Sequence, residues 1–391
     1  MESLRHVLVN LSQGHGQIVC LIGEAGLGKS RLTRELRAEW ESIRHEVSDE
    51  MNPQLPCIDW TEGRGISFDT THPYYQFQQH TRQFYGLSEN DSLDTVHQKI
   101  LQPLKNSYPD KYARVGHIFE MLLGVYEVGE SKLTFEGESF KRELFREIPD
   151  LLRHRTAYFP SVMLFEDLHW ADSASVELLL HLLPLVTEIP ILFLCVFRPD
   201  TAASSWQVKQ KAETNYAQHY TEIALTPLSA EESNALVDGL LIISDLRGPI
   251  RQLIQQKSEG NPFFIEEVVR TLLDSGVIVR TEDGTHWQAT RDVTDIAIPD
   301  NLQALLMARI DRLPEEVRHT LQLAAVIGRI FPRRVLEVMS DLPEYLTEQL
   351  SLLMRLGLVR RSPSLEETYI FHHVLTQQAA YNTLNSGEVD S

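Results

Sequence analysis

Gly23-Glu24-Ala25-Gly26-Leu27-Gly28-Lys29-Ser30 sits between an apolar run, Gln17 to Ile22, and a stretch from Lys29 to Trp40 that repeats apolar and charged residues at helical spacing. The octet fits GxxxxGK(S/T), and a strand before it with a helix after it is the setting a phosphate-binding loop requires. Glycines let consecutive backbone N–H groups curl around phosphate oxygens, and the helix N-terminus adds positive potential. Lys29 reaches the β/γ-phosphates and the Ser30 hydroxyl ligates Mg²⁺. Gly23, Glu24, Ala25, Gly26, Leu27, Gly28, Lys29, Ser30 and Arg31 are therefore the expected nucleotide contacts, with ATP/ADP and Mg²⁺ as cofactors. At ordinary residue frequencies such an octet arises by chance in about 1 to 2 per cent of chains this long.

A phosphate-binding loop also needs an acidic side chain at the end of a neighbouring strand, to hold Mg²⁺ and polarise the attacking water. Val162-Met-Leu-Phe-Glu166-Asp167 supplies it, four apolar residues ending in paired carboxylates. Glu166 is placed at the metal and Asp167 at the water, with the exchanged roles as the alternative. Arg198 follows the apolar run Ile191 to Phe197 and should emerge at the carboxyl edge of the sheet, where α/β nucleotide sites lie.

Outward from the loop, Leu4, Val7, Leu8 and Leu11 mark a leading amphipathic helix, and Cys57 to Arg64 reads as a second strand. Residues 73–157 are helical by pattern and read as an insertion. Ser161 to Phe165 and Ile189 to Phe197 are continuous apolar runs flanking a helix from Ser173, as buried parallel strands are. Asp172 is its expected N-cap. Ile223 to Ser229 reads as a last strand, and Ser229 with Glu232 forms a capping box. Helices to Leu273 follow, then a hairpin over Ser275 to Ala289 turning at Asp283-Gly284. Helices Leu302 to Leu313, Glu315 to Ile327 and Tyr345 to Leu356, then a Gly357 to Phe371 hairpin, outline a winged helix. The expected fold is α/β: a P-loop NTPase parallel-sheet core (1–225, insertion 73–157), a helical lid with a hairpin (226–295) and a winged helix (296–391).

The 391 residues carry 36 Lys plus Arg against 55 Asp plus Glu, a net charge of −19, which argues against non-specific duplex binding through phosphate neutralisation. The longest apolar runs are strand-sized and the N-terminus lacks a secretory pattern, so the expected location is the cytoplasm, with no membrane association. Cys20, Cys57 and Cys195 lack metal-ligand spacing and read as reduced packing residues.

Phe165-Glu-Asp-Leu-His-Trp-Ala-Asp172 resembles the Walker B region of bacterial signal-transduction ATPases with numerous domains, the STAND class. It resembles especially the ATPase modules attached to class III adenylate/guanylate cyclases and to large LuxR-type regulators. Trp60 to Arg64 with Pro73-Tyr74, Phe197-Arg198-Pro199, Gly260-Asn261-Pro262-Phe263 and Ile298 to Pro314 resemble further motifs of that group. The resemblance implies that Arg198 senses the γ-phosphate, that Pro262 packs on adenine, and that His373 in Phe371-His372-His373 meets the ADP β-phosphate. His169 is taken as structural. Such modules are usually preceded by a Val-Gly-Arg segment and followed by tetratricopeptide-like repeats, so the chain reads as a fragment of a larger protein. Its expected partners are output and sensor domains, a cyclase among them, with nucleotide-dependent self-association a further expectation.

The function expected is a slowly hydrolysing ATP switch. One alternative is an ATP-dependent DNA-binding regulator acting through the winged helix. From Asp300 to Ser391, however, 9 Arg and no Lys face 12 acidic residues, a balance of −3 with one cluster at Arg329, Arg333 and Arg334. A DNA-facing module shows a basic stripe. A small-molecule P-loop kinase, with the insertion as acceptor site, is the other alternative.

Overall fold

A computed structural model of the chain describes residues 1–49, 58–66, 73–88, 91–124, 137–241, 248–280, 287–290, 299, 301–340, 342–362 and 367–386. Contacts divide it into two compact units, one of residues 1–24 and 28–226, the other of 25–27 and 227–391.

In the first unit, α1 (Glu2–Ser12) precedes β1 (Gln17–Ile22) and α2 (Lys29–Asp49). β2 (Asp59–Arg64) leads into the insertion helices α3 (Tyr75–Phe84), α4 (Leu93–Ser107), α5 (Tyr112–Leu123) and α6 (Glu138–Thr156). β3 (Ser161–Glu166), α7 (Ser173–Leu182), β4 (Ile191–Phe197), α8 (Ser205–Asn215) and β5 (Tyr220–Ala224) complete it. The five strands pair in parallel in the order β2-β3-β4-β1-β5. Alternation along each strand splits the core in two. Val19, Leu21, Leu164 and Leu194 face a layer holding Leu4, Leu8 and Leu11 of α1 and Leu36 of α2. Ile18, Cys20, Phe165 and Phe193 face the insertion helices and α7. Every residue of β3 and β4 is buried, which is why these strands read as unbroken apolar runs. Cys20 and Cys195 are register partners at the centre of the sheet, free and buried, as packing residues should be; Cys57 lies outside the described residues.

β2 is an edge strand, and α3 covers its open side with three glutamines. The Gln79 amide donates to Arg64 O and accepts from Arg64 N–H, both at 3.0 Å. The Gln83 amide pairs likewise with Glu62 O and N–H at 2.8 Å. Gln76 Nε2 donates to Gly63 O (3.3 Å) and Glu166 O (3.1 Å). Gln79 and Gln83 thereby satisfy the strand groups that an edge leaves unpaired.

The second unit contains α9 (Ala230–Leu241), α10 (Gly248–Ser258), α11 (Pro262–Asp274), a hairpin of β6 (Ile278–Arg280) with β7 (Trp287–Ala289), α12 (Leu302–Asp311) and α13 (Glu315–Ile327). β8 (Ile330–Pro332), α14 (Arg333–Met339), α15 (Leu346–Arg355), β9 (Val359–Arg361), β10 (Thr368–Phe371) and α16 (Val374–Ser386) follow. The capping box is present: Ser229 N–H donates to Glu232 Oε2 (2.8 Å) and Glu232 N–H to Ser229 Oγ (3.2 Å). The Asp283-Gly284 turn lies outside the described residues.

Two expectations need correcting. The last strand of the core is Tyr220–Ala224, where Ile18 to Ile22 pair with Tyr220 to Ala224, and not Ile223 to Ser229. Beyond Leu225 comes Pro227, which has no N–H to give a ladder. The C-terminal hairpin gains a third strand, β8, against β10, followed by the short α14, giving the antiparallel order β8-β10-β9. Pro332 closes β8 at the edge, where a missing donor does no harm.

Candidate functional site

The loop from Gly23 to Gly28 joins β1 to α2 at the carboxyl end of the sheet, and Gly23 N–H donates to Phe197 O (3.3 Å) at the end of β4. Gly26 and Gly28 hold φ at 87° and 88°, a region that side chains with a Cβ avoid and that turns the backbone N–H groups inward. Lys29 is buried, its Nζ donating to Gly23 O (2.6 Å) and Glu24 O (2.9 Å). Burial pulls this ammonium down to about 8, against the opposing attraction of Asp167. Ser30 is half-buried in the first turn of α2, while Arg31 is exposed and faces Glu35 at 3.8 Å, turned along the helix rather than into the loop.

Glu166 ends β3, nearly buried, and is held from two sides. Thr33 Oγ1 of α2 donates to its Oε1 (2.9 Å), and Arg64, its register partner at the end of β2, pairs with its Oε2. Arg64 Nε also lies 3.7 Å from Asp167 Oδ2. Asp167 adopts φ 50°, a left-handed turn that aspartate tolerates better than most residues and that starts the short turn Leu168–Trp170. Gly65 allows this turn to lie against β2, since a Cβ there would meet Asp167 O at 2.5 Å. The His169 ring lies against Trp170, tilted at 39° with centroids 4.5 Å apart, and burial lowers its imidazole to about 4. Arg198 emerges one residue past β4 with its guanidinium 5.1 Å from the Trp170 ring centroid. Lys29, Glu166, Asp167 and Arg198 thus share one edge of the first unit. Arg64 and Thr33 were not among the residues singled out from sequence. The signal for Arg64 was a cation ending a strand beside one that ends in two acids.

Asp172 caps α7 as expected, accepting from Ser175 N–H at 2.8 Å. It also accepts from Tyr74 N–H (2.9 Å) and Tyr75 N–H (3.2 Å), anchoring the start of α3.

Within the second unit, Asn261 caps α11, accepting from Phe263 N–H (3.1 Å) and Phe264 N–H (3.3 Å), with Pro262 at the first helical position. Asn261 Nδ2 donates to Ala25 O (2.9 Å). His373 stacks on Phe263 at 3.8 Å and 17°, and its Nδ1 accepts from Leu375 N–H at 3.1 Å. Pro262 and His373 therefore border one aromatic stack.

Among the described residues no cluster of three or more His, Cys, Asp or Glu could cage a metal ion. Mg²⁺ is usually held by one or two side-chain oxygens together with substrate phosphates rather than by protein alone. The donor set fits: a hydroxyl at Ser30 and carboxylates at Glu166 and Asp167, beside a loop whose positive-φ glycines form a phosphate cradle. No helix among the described residues is long and apolar enough to cross a membrane.

Comparison with known proteins agrees with the loop. Residues 1–194 match the AAA ATPase domain model, and residues 229–286 match a domain of unknown function, DUF8739. An uncharacterised protein of Rhizobium meliloti (strain 1021) is 24% identical over 385 residues, 95% of this chain and 33% of its own. The chain thus spans about a third of that relative's length. Among solved structures, a STAND protein with a tetratricopeptide repeat sensor from Pyrococcus horikoshii aligns over 97% of this chain and 42% of its own, with 13% identity and TM-score 0.47. The ORC2 protein of Aeropyrum pernix, solved as ADPNP-ADP complexes, aligns over 100% and 93%, with 14% identity and TM-score 0.36. Drosophila ORC bound to DNA aligns over 98% and 85%, with 12% identity and TM-score 0.42.

Proposed function

From the match of residues 1–194 to the AAA ATPase domain model, we propose that the chain is an ATP-binding, slowly hydrolysing switch of the STAND type. The observation that carries this reading is the shared edge at which the phosphate-loop lysine, the paired acids of β3 and Arg198 lie together. In it, loop N–H groups and the Lys29 ammonium bind the β/γ-phosphates, and Arg198 offers a planar fork to the γ-phosphate. Ser30 and Glu166 are the residues that would hold Mg²⁺, which supplies neutralisation of charge on the phosphate oxygens. Asp167 accepts the proton of the attacking water. Arg64 and Thr33 act through Glu166, fixing its carboxylate in one orientation.

Pro262 against adenine and His373 toward the β-phosphate extend the proposal to α11 and α16, with residues 226–295 as a lid. The helices and three-stranded sheet that follow are read as a winged helix whose contacts change with nucleotide. Output and sensor domains of a longer protein, a nucleotide cyclase among the candidates, would receive that change. The proposed setting is the cytoplasm, with nucleotide-dependent self-association.

The deciding experiment releases nucleotide from purified, denatured protein, separates it by ion exchange, and follows phosphate release from added Mg-ATP. ATP or ADP bound to the wild type and lost in Lys29→Ala is expected. A wild type that carries none and binds no added Mg-ATP overturns the reading.

A further inference from the structure

A cavity of about 290 Å³ opens among the insertion helices of the first unit, floored by Met163 of β3 and bounded by Asp59, the first residue of β2. It touches none of the proposed nucleotide contacts. Protein interiors are packed nearly as densely as organic crystals, and voids above the size of a water are few. A concave apolar space with a few polar groups is the usual form of a small-molecule site.

Its chemistry is specific. Phe77 and Phe84 of α3, Phe119 of α5, and Tyr85 and Tyr108 just past the ends of α3 and α4 line it with rings. Phe84, Tyr158 and Phe159, all lining residues, are 42%, 68% and 48% exposed, so the rim reaches solvent through aromatic surface. The charged side chains in the lining are Asp59 and Arg155, paired with each other, and the Arg155 guanidinium lies 3.8 Å over Phe84. Those two charges offset each other, and the imidazoles of His80 and His154 complete the basic groups of the lining. Thr81, also in the lining, commits its hydroxyl proton to Phe77 O at 2.8 Å, leaving the oxygen as an acceptor.

A cavity of roughly 150 Å³ holds benzene, so twice that volume holds two fused rings. We propose that this cavity binds an uncharged bicyclic aromatic molecule carrying one hydroxyl or N–H. The site is separate from the nucleotide edge, and its floor strands β2 and β3 are the ones that end at Arg64 and Glu166.

The test is fluorescence titration of the full chain with 2-naphthol, and with anionic 2-naphthalenesulfonate for comparison. Leu151→Trp on α6 and Phe84→Trp on α3 fill the space from two directions, and a melting curve establishes which variant remains folded. Expected are saturable one-to-one binding by the wild type, at least tenfold weaker binding by the folded variant, at least tenfold weaker binding of the sulfonate, and unchanged 2-naphthol binding by Lys29→Ala. No saturable binding by the wild type, equal binding by a folded filling variant, equal binding of the sulfonate, or loss in Lys29→Ala would each overturn the proposal. The last of these would place the ring in the nucleotide site instead.

Discussion

Asp172 shows how much one carboxylate can hold. A helix cap alone is worth about 1 kcal/mol, but Asp172 also accepts from the backbone N–H groups of Tyr74 and Tyr75 in a buried setting. Each buried donor left unmatched costs about 1 to 3 kcal/mol, so Asp172→Ala is expected to destabilise the first unit by about 3 kcal/mol, measured by denaturant unfolding. Arg64 makes a different kind of contact, its guanidinium pairing with the Glu166 carboxylate at the ends of β2 and β3, and the proposed function gives it a part in turnover. Arg64→Gln should leave ATP affinity within about threefold of wild type, set by loop contacts it does not make, while changing turnover by at least tenfold. Unchanged turnover would show that Thr33 alone positions the carboxylate. His80, buried with Nδ1 2.8 Å from Thr61 Oγ1, is held down to about 3 by burial, against 6.5 for a free imidazole. Its neutral form costs nothing above pH 6.5. Below that the unfolded chain takes a proton the folded one refuses, so stability falls with pH down to about 3, by up to about 1.4 kcal/mol per unit. Melts of His80→Gln between pH 7 and 4.5 should show a shallower acid slope than wild type.

At the scale of elements, the legible parts were those whose local chemistry is self-sufficient. The phosphate loop and the Ser229–Glu232 box are each fixed by a few neighbours in sequence, and each formed as read. Strand β8 was missed because Ile330-Phe-Pro332 is too short to show a period, and its pairing partner β10 begins 36 residues further on (368 − 332). Gln76, Gln79 and Gln83 were also opaque: polar residues at helical spacing read as a solvated face, yet Gln76 is fully buried and all three bond β2. The cavity depends on four helices meeting and has no signature within any one of them. Removing two amides at once, Gln79→Ala with Gln83→Ala, takes away four hydrogen bonds of about 0.5 to 1.5 kcal/mol each. Because water can replace part of what is lost at an edge, the expected cost is about 2 kcal/mol by urea unfolding.

For the whole molecule, two units with separate cores imply two cooperative transitions rather than one. In the second unit Glu267 of α11 and Arg309 of α12 form a buried ion pair, and Arg309 Nη2 donates to Leu356 O at 2.7 Å. Glu267→Ala strands a buried cation and should cost about 3 to 5 kcal/mol. In calorimetry it is expected to lower one transition, and Asp172→Ala the other; a single peak moving in both variants would show the units unfold as one. The glutamine-covered strand β2 bears on a different observable. Amide protons at a sheet margin normally exchange with deuterium quickly, since nothing but water holds them. The Glu62 and Arg64 protons each rest on a side-chain carbonyl, so they should exchange as slowly as those of an interior strand, and the margin of the sheet next to the acids would be silent on the timescale at which its neighbours already report.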